Sequence, residues 1–363
     1  MSLTPLVAVA VLSAVLSWSI VALVRDAALR RGLLDVPNAR SSHERPTPRL
    51  GGLGIVAAVA VSVAAARAWL GLDVRPAAIL VGLGLVVALV SLADDLRGLP
   101  ALVRLAVHLA AGLAAVAALG PLDVIADLGL TAPDVARHID SVLTVLWIAG
   151  FMNAFNFMDG IDGIAGGQGL VAGAATAAIG WLLGVPSAAV LGLALAAACL
   201  GFLPHNWSPA TIFMGDVGSA FLGFLIATAP MVAPATAQPP VGLLAFALVA
   251  WPFLFDAMLT FVRRAARGEN VMAAHKTHLY QRLTQAGWSH GRVAGLYTAL
   301  AGVAAAIVVL PPALGRPTRP AMAFVAVAAA ALSLLVVQAE RHLKIRPAGA
   351  DRPAGAAEGS PRA

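Results

Sequence analysis

This chain has little charge. Asp, Glu, Lys and Arg together make up 12% of its 363 residues, against 60% hydrophobic residues. Soluble domains carry roughly a quarter of charged residues, so this composition excludes a water-soluble globule. With a mean hydropathy of +0.87, the bilayer is the natural solvent. Cysteine is almost missing as well. Cys199 stands alone within an apolar run, which excludes an intrachain disulfide and leaves the redox compartment open. Internal repeats and a separate soluble domain are also lacking. The charges that remain lean positive, at net +6. In a soluble protein that excess would suggest nucleic acid; here it follows the positive-inside rule, and no nucleic-acid partner is expected.

A spanning helix needs about 20 mostly apolar residues, with roughly 17 workable. Eleven stretches qualify, at about 3–24, 51–70, 77–93, 101–119, 141–152, 166–184, 187–203, 217–234, 241–262, 293–312 and 320–338. The fifth is short, but charge counting supports it. With eleven spans, segments 25–50, 94–104, 263–292 and 339–363 share one side and hold 19 of the 24 Lys and Arg. Without the fifth span the split falls to 14 against 10. The expected architecture is therefore an all-α, polytopic membrane protein of about eleven helices, with the N-terminus outside and the C-terminus cytoplasmic. The first span is not read as a signal peptide, because its basic residues follow it. Residues 1–340 form the membrane-embedded domain, and 341–363, rich in Pro, Ala, Gly and Arg, read as a disordered cytoplasmic tail. Gly82 and Gly84 in the third span suit close helix packing.

Polar residues are scarce enough for their positions to be informative. Asp94 and Asp95 follow span three. Asn153, Asn156, Asp159 and Asp162 follow span five in NAFNFMDGIDGIAGG, and His205, Asn206 and Asp216 follow span seven in PHNWSPATIFMGDVGS. His275, Lys276 and His278 follow span nine in AAHKTHLYQRL. Every cluster follows an odd-numbered span, so all emerge on one face, together with the basic loop 25–50. Carboxylates with few Cys or His ligands suit a hard cation such as Mg2+. Arg40, Arg45, Arg49, Lys276 and Arg282 can meet phosphate oxygens. Acid, metal and base together are the equipment of phosphoryl transfer. Each group also has a plainer reading. Asp94 and Asp95 could be helix-end acids beside Arg97, the Asn/Asp/Gly run could be turn chemistry, and Asp216 could cap a helix. His275 and His278, at i and i+3, would share a helix face, with too few ligands for zinc.

DVPNARSSHERPTPRLGG, the Asp94-Asp95 pair, NxxNxxDGxDGIAGG, GDVGS and the closing AHKTHLYQRL resemble, in the same order, the polyprenyl-phosphate N-acetylhexosamine-1-phosphate transferases. That family includes the phospho-MurNAc-pentapeptide translocase and the enzymes that start O-antigen and teichoic-acid synthesis. The resemblance spans nearly the whole chain before the tail. The ending HKTHLYQRL looks most like the O-antigen-initiating subgroup and departs from the HxHH ending of the peptidoglycan branch, which argues against a MurNAc-pentapeptide donor. The resemblance implies an enzyme of the bacterial inner membrane, active at its cytoplasmic face. It would transfer HexNAc-1-phosphate from a UDP-sugar to undecaprenyl phosphate with Mg2+ (or Mn2+), releasing UMP and starting a lipopolysaccharide or other cell-surface glycan. Membrane lipids are the expected surroundings, and an oligomer is compatible with the reading.

By the same resemblance, Asp94, Asp95 and Asp216 are catalytic. Asp94 would serve as the base for the lipid phosphate, and Asp216, Asn156 and Asp95 would serve at the metal. Asn156, Asp159, Asp162, Phe213, His275, His278 and Arg282 would bind nucleotide and sugar, and His43, Arg45 and Arg49 the lipid phosphate. The competing class is a multi-span secondary transporter. Transporters place ion sites near the bilayer midplane, whereas here the charges gather at one face and the span interiors look nearly free of ionisable groups.

Overall fold

The computed structural model describes residues 3–37, 45–127, 133–232, 242–270, 275–313 and 319–345. The helices come in chain order as α1 (Leu3–Arg31), α2 (Gly52–Ala68), α3 (Arg75–Arg97), α4 (Ala101–Leu119), α5 (Val124–Asp127), α6 (Pro133–Met158) and α7 (Ile164–Leu182). There follow α8 (Pro186–Asn206), α9 (Asp216–Thr228), α10 (Leu243–Val249), α11 (Trp251–Ala266), α12 (Leu279–Gln285), α13 (His290–Ala313) and α14 (Arg319–Ile345). The one departure from an all-α fold among the described residues is a two-residue antiparallel pairing in the first loop. Leu34–Asp35 (β1) lies against Thr47–Pro48 (β2).

Each of the eleven apolar stretches falls on a helix, though not all in the same way. Seven helices are long and apolar enough to cross a bilayer, or eight if one bent pair counts as a span; α2 and the segment Asp216–Val232 are apolar but shorter. The molecule is thus a multi-pass membrane protein. The fifth stretch is much longer than its apolar part suggested, because α6 runs through Asp140, Asn153 and Asn156 as helix. Asp140 is used at once: its Oδ1 accepts the N–H of Ile125 at 3.0 Å. The ninth stretch corrects the expectation of one continuous span. It is two helices, α10 and α11, meeting at 83°. Pro252, in the first turn of α11, has no N–H to continue the helix before it. The C-terminal helix likewise runs past the expected boundary at 340, to Ile345; the tail beyond lies outside the described residues.

The bundle has a centre and a rim. Of the α8 window 83% is buried inside the protein, against 17% for α4 and for α14, so α8 is the axis and the other two face lipid. Helices α1, α2 and α7 pack on α8, while α3 and α6 pack on α9. Without a hydrophobic drive between helices in lipid, close approach depends on small residues. The crossing of α2 and α9 shows it, since a Cβ on Gly52 would overlap the backbone of Gly218 and come within 2.9 Å of the carbonyl of Met214. Of the two glycines expected to pack in α3, Gly84 lies against Phe221, but a Cβ on Gly82 would meet nothing within 4 Å.

Those two positions give a matched test. Gly52→Ala forces the start of α9 away and should cost about 1–3 kcal/mol as overpacking, seen as a lower melting temperature in detergent. Gly82→Ala should change stability by less than about 1 kcal/mol, favourably if at all, by helix propensity. Equal melting temperatures for the two variants would overturn the packing argument.

Candidate active site

The polar clusters do converge at one end of the bundle, and the start of α9 is where they meet. A helix begins with N–H groups that have no partner in the helix, and its dipole favours a negative charge there. Asp95, at the end of α3, supplies both needs. Its Oδ1 accepts the N–H of Asp216 at 3.0 Å and its Oδ2 that of Val217 at 2.9 Å. Gly215 makes the approach feasible. Its φ is +75°, and a Cβ there would stand 2.9 Å from the Asp95 carboxylate. Asp95, expected at the metal, therefore has both oxygens engaged with backbone, and it is Asp95 that fills the capping role offered as the plainer reading of Asp216.

Asp94 is also committed. It accepts the N–H of Leu99 at 2.5 Å and an Arg104 guanidinium hydrogen at 3.0 Å. The same Arg104 nitrogen lies 3.7 Å from Asp216. Arg104, rather than Arg97, is the counter-ion, reaching across from the first turns of α4.

Three loops are stitched around this pair. Asn156, still in α6, accepts the Ser219 hydroxyl at 2.6 Å, which leaves its amide N–H groups for a ligand. Asn206 accepts the N–H of Gly163 at 3.0 Å and donates to the carbonyl of Ile212 at 2.9 Å, tying the DGIDG loop to the loop before α9. Asp162 accepts the N–H of Ala210 at 3.1 Å and lies 3.4 Å from His290 Nδ1. Burial acts to raise its pKa, but His290 and the Ala210 N–H more than offset that and hold it below the usual carboxylate value. Phe213 is half-buried and pairs by backbone with the first loop, donating to Pro48 and accepting from Gly51. That pairing brings in Arg49, whose Nε is buried with no partner among the described residues, within electrostatic reach of Asp95.

Asp159 is the exception. Its carboxylate accepts no hydrogen bond among the described residues, and its pKa is pushed up to about 7 by burial and then by the charges of Asp216, Asp95 and Asp162. Among the described residues no three His, Cys, Asp or Glu side chains stand close enough to form a ready-made metal cage. An unbalanced group of acids still fits a cation such as Mg2+, which binds through one or two carboxylates and keeps much of its water.

The remaining expected residues are placed as follows. His278 is not on a helix face with His275; it is the N-cap of α12, with His275 upstream and the two rings stacked at 5.0 Å. The His275 pKa is pushed down to about 4 by burial, then by His278 and Arg264. Arg282 is not turned to the acids, because Glu340 of α14 holds its guanidinium. Arg45 is exposed. His43 and Arg40 lie outside the described residues. His205 reaches the Trp18 carbonyl at 3.1 Å, away from the acids.

Four groups escaped sequence reasoning: Arg104, Ser219, His290 and Asp256. Asp256 corrects the view that the span interiors are almost free of ionisable groups, since it lies inside α11 at 0% exposure. A charge in an otherwise apolar helix was the available signal.

A model of glycosyl transferase family 4 matches residues 77–233. A decaprenyl-phosphate N-acetylglucosaminephosphotransferase of Mycolicibacterium smegmatis is 34% identical over 337 residues, covering 84% of this chain and 81% of the relative. The chain belongs to glycosyl transferase family 4. A Bacillus subtilis member named "probable undecaprenyl-phosphate N-acetylglucosaminyl 1-phosphate transferase" is 32% identical over 269 residues, 74% of either chain. A phospho-N-acetylmuramoyl-pentapeptide-transferase of Staphylococcus epidermidis is 41% identical over 87 residues, 24% of this chain and 27% of that one.

The acids of this family member differ in what they contribute to stability. Asp95→Ala removes the cap of α9 and should cost about 1–2 kcal/mol. Asp159→Asn should do the opposite. Its folded-state pKa of about 7 lies above the ordinary 3.8, so the folded form keeps a proton that the unfolded chain releases. Wild-type stability therefore falls as pH rises from about 4 to about 7. Melting in detergent with a chelator present should show Asp159→Asn above wild type at pH 8, with the gain shrinking at pH 5. A gain that is independent of pH would refute this account.

Proposed function

We propose that this family member transfers HexNAc-1-phosphate from a UDP-activated amino sugar to undecaprenyl phosphate, releasing UMP. The observation that carries the reading is the group of acids gathered at the start of α9, with Asp159 left unpaired and Arg104 beside Asp94 and Asp216. Phosphoryl transfer is mostly positioning and charge neutralisation, and this end of the bundle offers donors and acceptors for both. The relatives' names favour N-acetylglucosamine over the 6-deoxy sugars FucNAc and QuiNAc. They also point to a polyprenyl phosphate as acceptor.

In this reading an oxygen of the lipid phosphate attacks the donor's β-phosphorus. The bond from that phosphorus to the bridging oxygen breaks, and UMP leaves with the electron pair. Arg104 and Arg49 draw the lipid phosphate in. A phosphate monoester with a second pKa of about 6 is mostly dianionic at pH 7, so Asp94 has only a residual proton to accept. That small demand suits a carboxylate already paired with an arginine. Asp216 and Asp159, with Asn156 alongside, would hold Mg2+ or Mn2+, which would neutralise the donor's phosphates. Asp162 holds the loop, Phe213 would stack on the uracil, and His275 and His278 would contact the donor. Asp95 positions Asp216. The site lies at the cytoplasmic face of the inner membrane because the basic segments share its side, and the product would start a surface glycan such as O-antigen.

The test is UMP release by the purified full-length chain, given undecaprenyl phosphate, Mg2+ and a panel of UDP-HexNAc donors. Release is expected with UDP-N-acetylglucosamine, dependent on lipid and metal. Asp216→Asn should lower it at least about a hundredfold, as expected for loss of a group that neutralises charge in the transition state. Absence of release with every donor, together with no binding of labelled UDP-sugar, would reject the transferase.

A further inference from the structure

Asp256 is the most deeply buried acid among the described residues, at 0% exposure, and the reaction as outlined does not use it. It is nevertheless heavily engaged. Its Oδ1 accepts the N–H of Leu279 at 2.8 Å and the Thr260 hydroxyl at 3.2 Å, and lies 3.1 Å from His278 Nδ1. Its Oδ2 accepts the N–H of Tyr280 at 3.0 Å and the Tyr297 hydroxyl at 2.7 Å. An acid inside a membrane helix is costly unless its acceptors are filled, and these five donors fill them. The two backbone donors are the first N–H groups of α12. Asp256 thereby fixes where α12 begins.

His278 is different in kind from the other four donors. An ionised carboxylate only accepts, so the contact requires the proton on Nδ1 and leaves Nε2 as the ring's open nitrogen. Among the described residues the side-chain contact of the ring is the one at Nδ1. The ring is wedged as well as bonded. His275 stacks on it at 5.0 Å, Tyr280 lies at 5.7 Å and Phe157 at 6.4 Å. Tyr280 then donates its hydroxyl to the Phe157 carbonyl at 3.0 Å, joining the histidine loop to the end of α6 between Asn156 and Asp159.

We propose that Asp256 is a positioning residue for the sugar nucleotide. It locks His278 with the proton on Nδ1 and presents Nε2 to the donor, as carboxylates orient imidazoles in metal sites. The proposal rests on the transferase reading for its ligand, but not for the Asp256–His278 contact itself.

Two arms, both on the full-length chain in detergent, separate those parts. Nitrogen-15 histidine NMR, with His278 assigned by its loss in His278→Gln, should show Nδ1 protonated in the wild type and a changed proton distribution in Asp256→Asn. Identical His278 signals in the two would overturn the contact, whether or not any donor turns over. In the kinetic arm with UDP-N-acetylglucosamine, Asp256→Asn and His278→Gln should each lower kcat/KM by about ten- to hundredfold, mainly through KM, as loss of an orienting partner does. The double variant should be no worse than the poorer single, because one residue acts through the other. Tyr297→Phe removes a donor from the same carboxylate without touching His278, and should leave KM within about twofold of wild type. Multiplying effects in the double variant, or a Tyr297→Phe loss as large as that of Asp256→Asn, would reduce Asp256 to a structural role.

Discussion

Helix α9 starts at the expected active face, and its first N–H groups must be satisfied inside protein. Asp95 satisfies two of them. Much of the site follows from that one interaction. It pins the end of α3 to the start of α9, and so puts Asp216 next to a second carboxylate. It requires a glycine at 215, since any side chain there would occupy the space of the Asp95 oxygens. Two acids so close need a cation, and Arg104 of α4 supplies it while also holding Asp94. Three helices, α3, α4 and α9, are thereby fixed relative to one another by groups that each have a backbone or ionic reason to be there.

The same device recurs at the other end of the site. Asp256 caps α12 as Asp95 caps α9, a span carboxylate accepting two consecutive backbone N–H groups. Capping by a distant carboxylate has a consequence that local capping by Ser or Thr lacks. It ties the position of a loop to the position of a membrane helix. The starts of the two capped helices carry residues assigned to the metal and the sugar, and Tyr280 ties α12 to the end of α6 through the Phe157 carbonyl. Loops are ordinarily the mobile part of a protein; here their backbone is anchored to the most rigid part.

How much of this could be read beforehand depends on the range of each interaction. The helices were legible because twenty apolar residues in a row leave little choice of structure. The gathering of the polar motifs on one side followed from counting spans. The bend between α10 and α11 was harder to see, since Pro252 in the first turn of a helix is ordinary and breaks a span only because another helix ends there. The backbone partners of Asp95 and Asp256 were out of reach, lying 121–122 and 23–24 residues away. Nothing in GDVGS says which carboxylate will cap it. Arg104 was passed over for a similar reason, having been counted as a topogenic charge when its role is set by Asp94, ten residues earlier. Arg282 shows the same limit from the other side, because its motif suggested substrate and its partner in the structure is Glu340, 58 residues away in α14.

The polar groups at this face divide into two sets by whether their hydrogen-bonding capacity is filled. Asp95, Asn206, Asp162 and Asp256 are filled, and all four hold backbone in place. Asp159 and the Nε of Arg49 are not, although both are at least partly buried. A fold selected for stability alone would neutralise or solvate such groups, since each unmet buried polar atom costs free energy. The filled set holds the unfilled set at fixed positions, where neither can move away to find a partner. Carboxylates that repel one another are what a divalent cation would relieve, and an unpartnered guanidinium nitrogen is what a phosphate would satisfy. The rigidity of the first group is therefore what keeps the second group available, and substrate and metal would complete an arrangement that the protein leaves deliberately unbalanced.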